Sequence, residues 1–92
     1  MKVGTTTKQP GERLSYTVDY TDALPLGDNL STATATVSPS GLNIFNVGVY
    51  DPRVKVWLDG GTDGVTYVVT IEATSIDGRV FQDELIVKIK EV

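Results

Sequence analysis

Apolar and polar residues alternate with a period of two through most of this chain, the spacing of strands with one face buried and the other solvated. In R-L-S-Y-T-V-D-Y, Leu14, Tyr16, Val18 and Tyr20 fall on one face and Ser15, Thr17 and Asp19 on the other. In LSTATATVS, residues 30–38, Ala33, Ala35 and Val37 alternate with Thr32, Thr34 and Thr36, so small apolar groups face hydroxyls across the strand. LNIFNVGVY is a third extended segment, closed by Asp51-Pro52, and RVKVWLD a fourth, with Val54, Val56 and Leu58 inward and Arg53, Lys55 and Trp57 outward. VTYVVTIEATS sets Tyr67, Val69, Ile71 and Ala73 against Val68, Thr70, Glu72 and Thr74, and RVFQDELIVKIKE is the last strand. Between them stand TDALPLGDN, SPSG and GGTDG, rich in Pro, Gly, Asp and Asn. Leu24 and Leu26 are expected to pin the first of these loops to the core. MKVGTTTKQPG, residues 1–11, is polar with one Val and is expected as a flexible N-terminal arm, leaving residues 12–92 as the single domain.

The last two strands fix their own register. A two-residue turn at Asp77-Gly78 would set Ile71 against Glu84 and Val69 against Ile86, mixing an apolar face with a charged one. A three-residue loop, Ile76-Asp77-Gly78, with Gly78 left-handed, instead pairs Ala73 with Phe81, Val69 with Leu85, Tyr67 with Val87 and Val65 with Ile89. That register puts Asp83 opposite Ile71 on the apolar face, which requires a hydrogen-bonded partner or a second bulge that turns it outward. Six to seven short strands, no helical pattern and no repeat predict an all-β fold, an antiparallel immunoglobulin-like β-sandwich. In such a sandwich Tyr67, after Gly64, stands where a tyrosine corner would, and is assigned a structural role with Asp77 and Gly78.

Composition narrows the function by exclusion. A net charge of −4 opposes nucleic-acid binding, and no stretch approaches a membrane span. The start has no apolar core of a signal peptide, so synthesis in the cytoplasm of the producing cell is expected. No cysteine is present, so stability rests on the core and not on disulfides. With no His either, the Ser and Thr hydroxyls lack a base. Asp83 and Glu84 point to opposite faces of one strand, and Lys2, Lys8, Lys55, Lys88 and Lys90 lie in exposed patterns. We therefore assign no catalytic residue, no cofactor and no metal, and expect a protein that is not an enzyme.

Two loop features invite a ligand and are read as turn chemistry. GGTDG precedes a strand and not a helix, and it lacks the lysine of a phosphate loop. Asp51, Asp59, Asp63 and Asp77 could hold calcium if the loops gathered them at one end, but they lack the spacing of a calcium loop. The outward Trp57, beside Arg53 and Lys55, is the candidate interface anchor, suited to a protein surface or to stacking on a sugar.

Four further pieces occur in order along the chain: K-x-P-x-E (Lys8, Pro10, Glu12) before an aromatic-Asp-aromatic strand at Asp19; L-x-x-G-D at Leu24 to Asp28, here with an inserted-looking Pro-Leu; G-G-T-x-G-x-x-Y at Gly60 to Tyr67; and T-S-x-D-G-R at Thr74 to Arg79. In this order the chain resembles a family of small bacteriophage and prophage virion proteins, single immunoglobulin-like domains of the fibre–tail adaptor or accessory structural type. The resemblance implies a non-enzymatic virion component that docks onto head, tail or fibre proteins, with Lys8 and Pro10 added to the interface candidates. Homo-oligomerisation, a capsid decoration role and a carbohydrate-binding adhesion role stay open as alternatives.

Overall fold

The computed structural model describes residues 2–91, with side chains from residue 4 onward. Seven strands form two packed sheets: β1 (Lys2–Lys8), β2 (Leu14–Asp19), β3 (Leu30–Ser38), β4 (Leu42–Tyr50), β5 (Arg53–Gly60), β6 (Thr66–Ser75) and β7 (Val80–Ile89). One sheet has the order β1-β7-β6-β3 and the other β2-β5-β4. No described residue is helical. Grouping β2 with β5 and β4, and β3 with β6 and β7, is how an immunoglobulin-type sandwich distributes its strands; β1, which that arrangement pairs with β2, here joins β7.

The sheets are antiparallel except at one edge, where β1 runs parallel to β7, from Lys2 opposite Glu84 to Lys8 opposite Ile89. The segment expected as a flexible arm is therefore an edge strand. Its sequence explains both the expectation and the outcome. Gly4, Thr6 and Lys8 turn inward and Thr5 and Thr7 outward, a true alternation that carries almost no hydrophobic contrast.

The core forms where the alternating faces meet: Val54, Val56 and Leu58 from β5, Tyr67, Val69, Ile71 and Ala73 from β6, and Leu85, Val87 and Ile89 from β7, with Tyr20, Leu30 and Leu42. The β6–β7 register pairs Tyr67 with Val87, Val69 with Leu85, Ile71 with Asp83 and Ala73 with Phe81, as the polarity argument requires, and the Ile89 N–H donates to the Val65 carbonyl at 3.0 Å. Gly78 has φ +94°, the left-handed conformation that the three-residue loop needs. No second bulge rescues Asp83, which stays inward and 2% exposed. Leu24 packs against the core, but Leu26 does not: it projects into solvent from the loop tip.

Candidate docking surface

The four ordered sequence pieces meet in pairs, one pair at each end of the sandwich. At one end, the Glu12 carboxylate accepts from the Gln9 N–H (2.8 Å) while the Glu12 N–H donates to the Gln9 carbonyl (3.1 Å), locking the β1–β2 turn that contains Pro10. Lys8, expected at the surface, is 1% exposed; its ammonium donates to the Gln9 carbonyl (2.7 Å) and to that of Gly60 (2.5 Å), joining this turn to the Gly-rich loop. Burial lowers the Lys8 pKa, against the opposing charges of Glu12 and Asp59. Lys8 is thus unavailable to a partner, because its single hydrophilic group is consumed in bridging two loops.

In the Gly-rich loop the buried Tyr67 hydroxyl accepts from the Thr62 N–H at 3.0 Å, five residues upstream. Gly41, at φ +129°, lies against this ring: a Cβ there would stand 2.6 Å from the Tyr67 hydroxyl. The Gly64 N–H donates to the Ile89 carbonyl (2.8 Å), so the loop also holds the end of β7.

At the opposite end Asp28 joins the remaining two pieces. Its carboxylate accepts from the Asn29 N–H (2.9 Å), the Asp77 N–H (3.1 Å) and the Arg79 guanidinium (2.9 Å). Burial alone would raise its pKa, but these bonds and one from Ser75 outweigh burial and hold the carboxyl below the usual carboxylate range. Arg79 also reaches Asp77, at 3.2 Å. Asp51 accepts from the Leu30 N–H (2.8 Å), bringing the β4–β5 turn into the same joint. The four aspartates weighed for calcium are consequently divided. Asp51 and Asp77 serve this end, while Asp59 (with Arg13 and Asn43) and Asp63 (with the Glu91 N–H) serve the other. Among the described residues no acidic cluster of metal-binding form exists.

Beyond these joints at the ends lie the outer faces of the two sheets, and the two differ in kind. The β1-β7-β6-β3 face carries exposed threonines, Thr5, Thr7, Thr32, Thr34, Thr36 and Thr66, among Glu72, Glu84, Lys88 and the aliphatic pair Val68 and Ile86. The β2-β5-β4 face carries rings and cations in cross-strand rows, Ser15–Trp57–Asn46, Thr17–Lys55–Gly48 and Asp19–Arg53–Tyr50. Trp57 is half-buried in the first of these rows. The Lys55 ammonium lies 5.8 Å from the Trp57 ring centre and 5.8 Å from that of Tyr50, so its stem separates two aromatics. Gly48 makes the arrangement possible: a Cβ there would come within 2.7 Å of the Tyr50 ring, which lies across the vacant position.

At the far end of this face, β4 has a bulge between Ile44 and Asn46 that leaves Phe45 outward and 52% exposed. The Arg13 guanidinium stacks 3.9 Å above the Phe45 ring and pairs with Asp59 at 2.9 Å. The carboxyl of Asp59 is lowered by hydrogen bonds from Asn43 and Arg13, which outweigh its partial burial. Reasoning from sequence placed Trp57, Arg53 and Lys55 on this face and missed Phe45, Tyr50 and Arg13. A usable signal was present: Ile44 and Val47 are both inward and three apart, which demands one extra residue between them.

The face has the composition of a protein-docking surface, aromatic and arginine-rich with few free carboxylates. No curated protein matches the chain. The sequence model of one family, described as the podophage GP4 fiber-tail adaptor protein gp77, matches residues 8–88, from the buried lysine to the last turn of pairing in β7. By that match, which takes in all four of the joinery motifs and the aromatic face, the chain belongs to the podophage fiber-tail adaptor family Gp77.

Proposed function

We propose that the protein is a non-enzymatic virion component, made in the host cytoplasm, that joins tail and fibre proteins by surface docking, with the outer face of β2-β5-β4 as its principal contact. The observation that carries this reading is the concentration of Phe45, Tyr50, Trp57, Arg13, Arg53 and Lys55 on one face, while the opposite face mixes threonines with Val68, Glu72, Glu84, Ile86 and Lys88 and has no outward ring among the described residues. Aromatic and arginine side chains anchor interfaces because they bury large areas at small entropic cost and bring their own hydrogen-bond donors. Lys55 and Arg53 bias the choice towards an acidic rim on the partner. Family membership supports the identity of the partners as components of the tail and its fibres.

The test is retention on particles that lack the protein. Trp57→Ala, Phe45→Ser and Tyr50→Ser are each added back, and binding is measured by co-sedimentation. At a hot spot each substitution weakens binding by about 2 kcal/mol, roughly thirtyfold. Undiminished binding of all three would end the assignment of this face.

Three rings beside Asn43 and Asn46 are also the makings of a sugar-stacking face, which favours a carbohydrate-binding adhesion module as the second reading. A glycan array on the isolated protein separates the two. Copy number per particle separates an adaptor from a decoration protein, which would occupy every equivalent lattice site.

A further inference from the structure

Arg53 and Lys55 stand two apart on β5, the central strand of its sheet, so both point outward from positions roughly 6.5 Å apart along the strand. Their cross-strand neighbours supply two walls. On β2, Thr17 lies opposite Lys55; on β4, Gly48 lies opposite Lys55 and Tyr50 opposite Arg53. The Tyr50 ring folds back across Gly48, where a Cβ would stand 3.1 Å from its hydroxyl, and this brings the phenol into the row of Lys55. Between Thr17 and Tyr50, with the two cations, the face sinks into an open cavity of about 240 Å³. That is smaller than the roughly 300–1,000 Å³ of sites for small molecules, and it suits a single side chain.

Every side chain lining this cavity carries a hydrogen-bond donor, and none is a carboxylate. Among the described residues, nothing consumes the two charges. Arg53 meets Asp19 with 3.6 Å between Nε and Oδ2, longer than a hydrogen bond. The other Asp19 oxygen accepts from the hydroxyl and the N–H of Thr21; these bonds lower the Asp19 pKa, and the Arg53 charge contributes least. The Lys55 ammonium has only the two rings at 5.8 Å, which attract a cation without neutralising it. Arg13 and Arg79, by contrast, each hold a carboxylate at 2.9 Å. Two like charges side by side repel, so an anion set between them relieves a cost as well as adding attraction. The setting selects a protein carboxylate. Tyr50 and Trp57 flank Lys55 with apolar surface that keeps water from a docked pair, the planar fork of arginine matches the two oxygens of a carboxylate, and a net charge of −4 opposes a polyanion.

We infer that this cavity seats one acidic side chain, Glu or Asp, of the tail or fibre protein on which the face docks, its carboxylate held between the Arg53 guanidinium and the Lys55 ammonium with the Thr17 and Tyr50 hydroxyls as further donors. The inference rests on the docking reading for the identity of the partner, but its chemistry is tested on the isolated protein. The full chain is labelled with nitrogen-15 and titrated at constant ionic strength with millimolar acetyl-Leu-Glu-Leu-amide, with the same peptide carrying Gln in place of Glu, and with inorganic phosphate. The Glu peptide is expected to move the amide signals of Thr17, Arg53 and Lys55 and the Nε–H signal of Arg53, while the Gln peptide leaves them in place. Arg53→Gln and Lys55→Gln each weaken the Glu peptide about fivefold, the upper end for an ion pair at a surface, because the rings shelter it. Lys88→Gln, the same change of charge on the opposite face, leaves the affinity as it was.

Equal shifts with both peptides, shifts confined to another surface, or none at all would overturn the inference. So would tighter binding of phosphate than of the Glu peptide, which would reassign the cavity to phosphate groups, or equal weakening by Lys88→Gln, which would reduce the effect to overall charge. In particles, undiminished retention of Trp57→Ala, Phe45→Ser and Tyr50→Ser refutes the docking face. Loss of those three together with undiminished retention of the double variant Arg53→Gln, Lys55→Gln refutes this inference alone.

Discussion

Asp28 and Arg79 are 51 residues apart in sequence and 2.9 Å apart in space, and this ion pair ties the loop after β2 to the hairpin of β6 and β7. The Asp28 side chain is completely buried, while Arg79 is half-exposed. Removing the acid leaves the Asn29 and Asp77 N–H groups and the guanidinium without an acceptor. Asp28→Ala is expected to lower the Tm by about 5–10 °C, as expected for loss of a buried polar joint from a domain of this size. Thermal unfolding followed by circular dichroism measures it. Arg79→Ala should cost less, since its carboxylate partner keeps two backbone donors.

The same joint sets the acid limit of stability. The folded-state pKa of Asp28 is depressed, and so is that of Asp59. Each therefore contributes stability that is present above the unfolded value of 3.8 and is lost as pH falls through the folded value. Urea midpoints should be flat above about pH 5 and drop steeply below pH 4. In Asp28→Asn the drop should be shallower, and the gap between variant and wild type should narrow at low pH. A gap that is constant with pH would remove Asp28 from the acid transition.

Tyr67 and Gly41 are a second pair whose exchange is informative. Tyr67→Phe removes the acceptor for the Thr62 N–H and should destabilise by about 1 kcal/mol. Gly41→Ala places a Cβ 2.6 Å from the hydroxyl at a positive φ and should cost more, about 2 kcal/mol or above. Because the clash is with that hydroxyl, the double variant should cost less than the sum of the two. Chemical denaturation of the four proteins forms the cycle.

Deleting residues 2–8 removes a strand, and its effect should be read accordingly. β1 covers β7 from Glu84 to Ile89, and Lys8 holds Gly60. The truncated protein should show a lower Tm and faster amide exchange along β7, before any loss of docking is considered. A truncated protein with unchanged stability would restore residues 2–8 to the role of a detachable arm.

Much of this was legible in the sequence because one physical rule governs most of the chain. Inward Val, Ile, Leu and Tyr at every second position gave β2, β5, β6 and β7 their faces, and polarity alone selected the β6–β7 register. The exceptions share a cause. β1 alternates Gly4, Thr6 and Lys8 against threonines, and Lys8 is inward because two backbone carbonyls satisfy its charge, a contact between residues 52 apart that no local pattern encodes. Leu26 looked like an anchor, yet the loop is held by Asp28, so the leucine is free to project. Tyr50 escaped notice because a bulge between Ile44 and Asn46 inverts the parity of β4 between it and Leu42, and Phe45 is the residue that sits in that bulge. The four motifs that carry the family likeness proved to be joints between loops, which accounts for their residue types without any ligand. The proposed docking face was visible only at Trp57, Arg53 and Lys55, since Phe45 and Tyr50 join it through pairing of β4 with β5 and Arg13 through Phe45 and Asp59.

The most direct measurement of the central claim is hydroxyl-radical footprinting of the protein free in solution and inside the intact particle, read residue by residue by mass spectrometry. The aromatic face as partner contact predicts that Phe45, Tyr50 and Trp57 lose most of their oxidation on assembly. Equal oxidation of those three rings in the free and the assembled protein would contradict it.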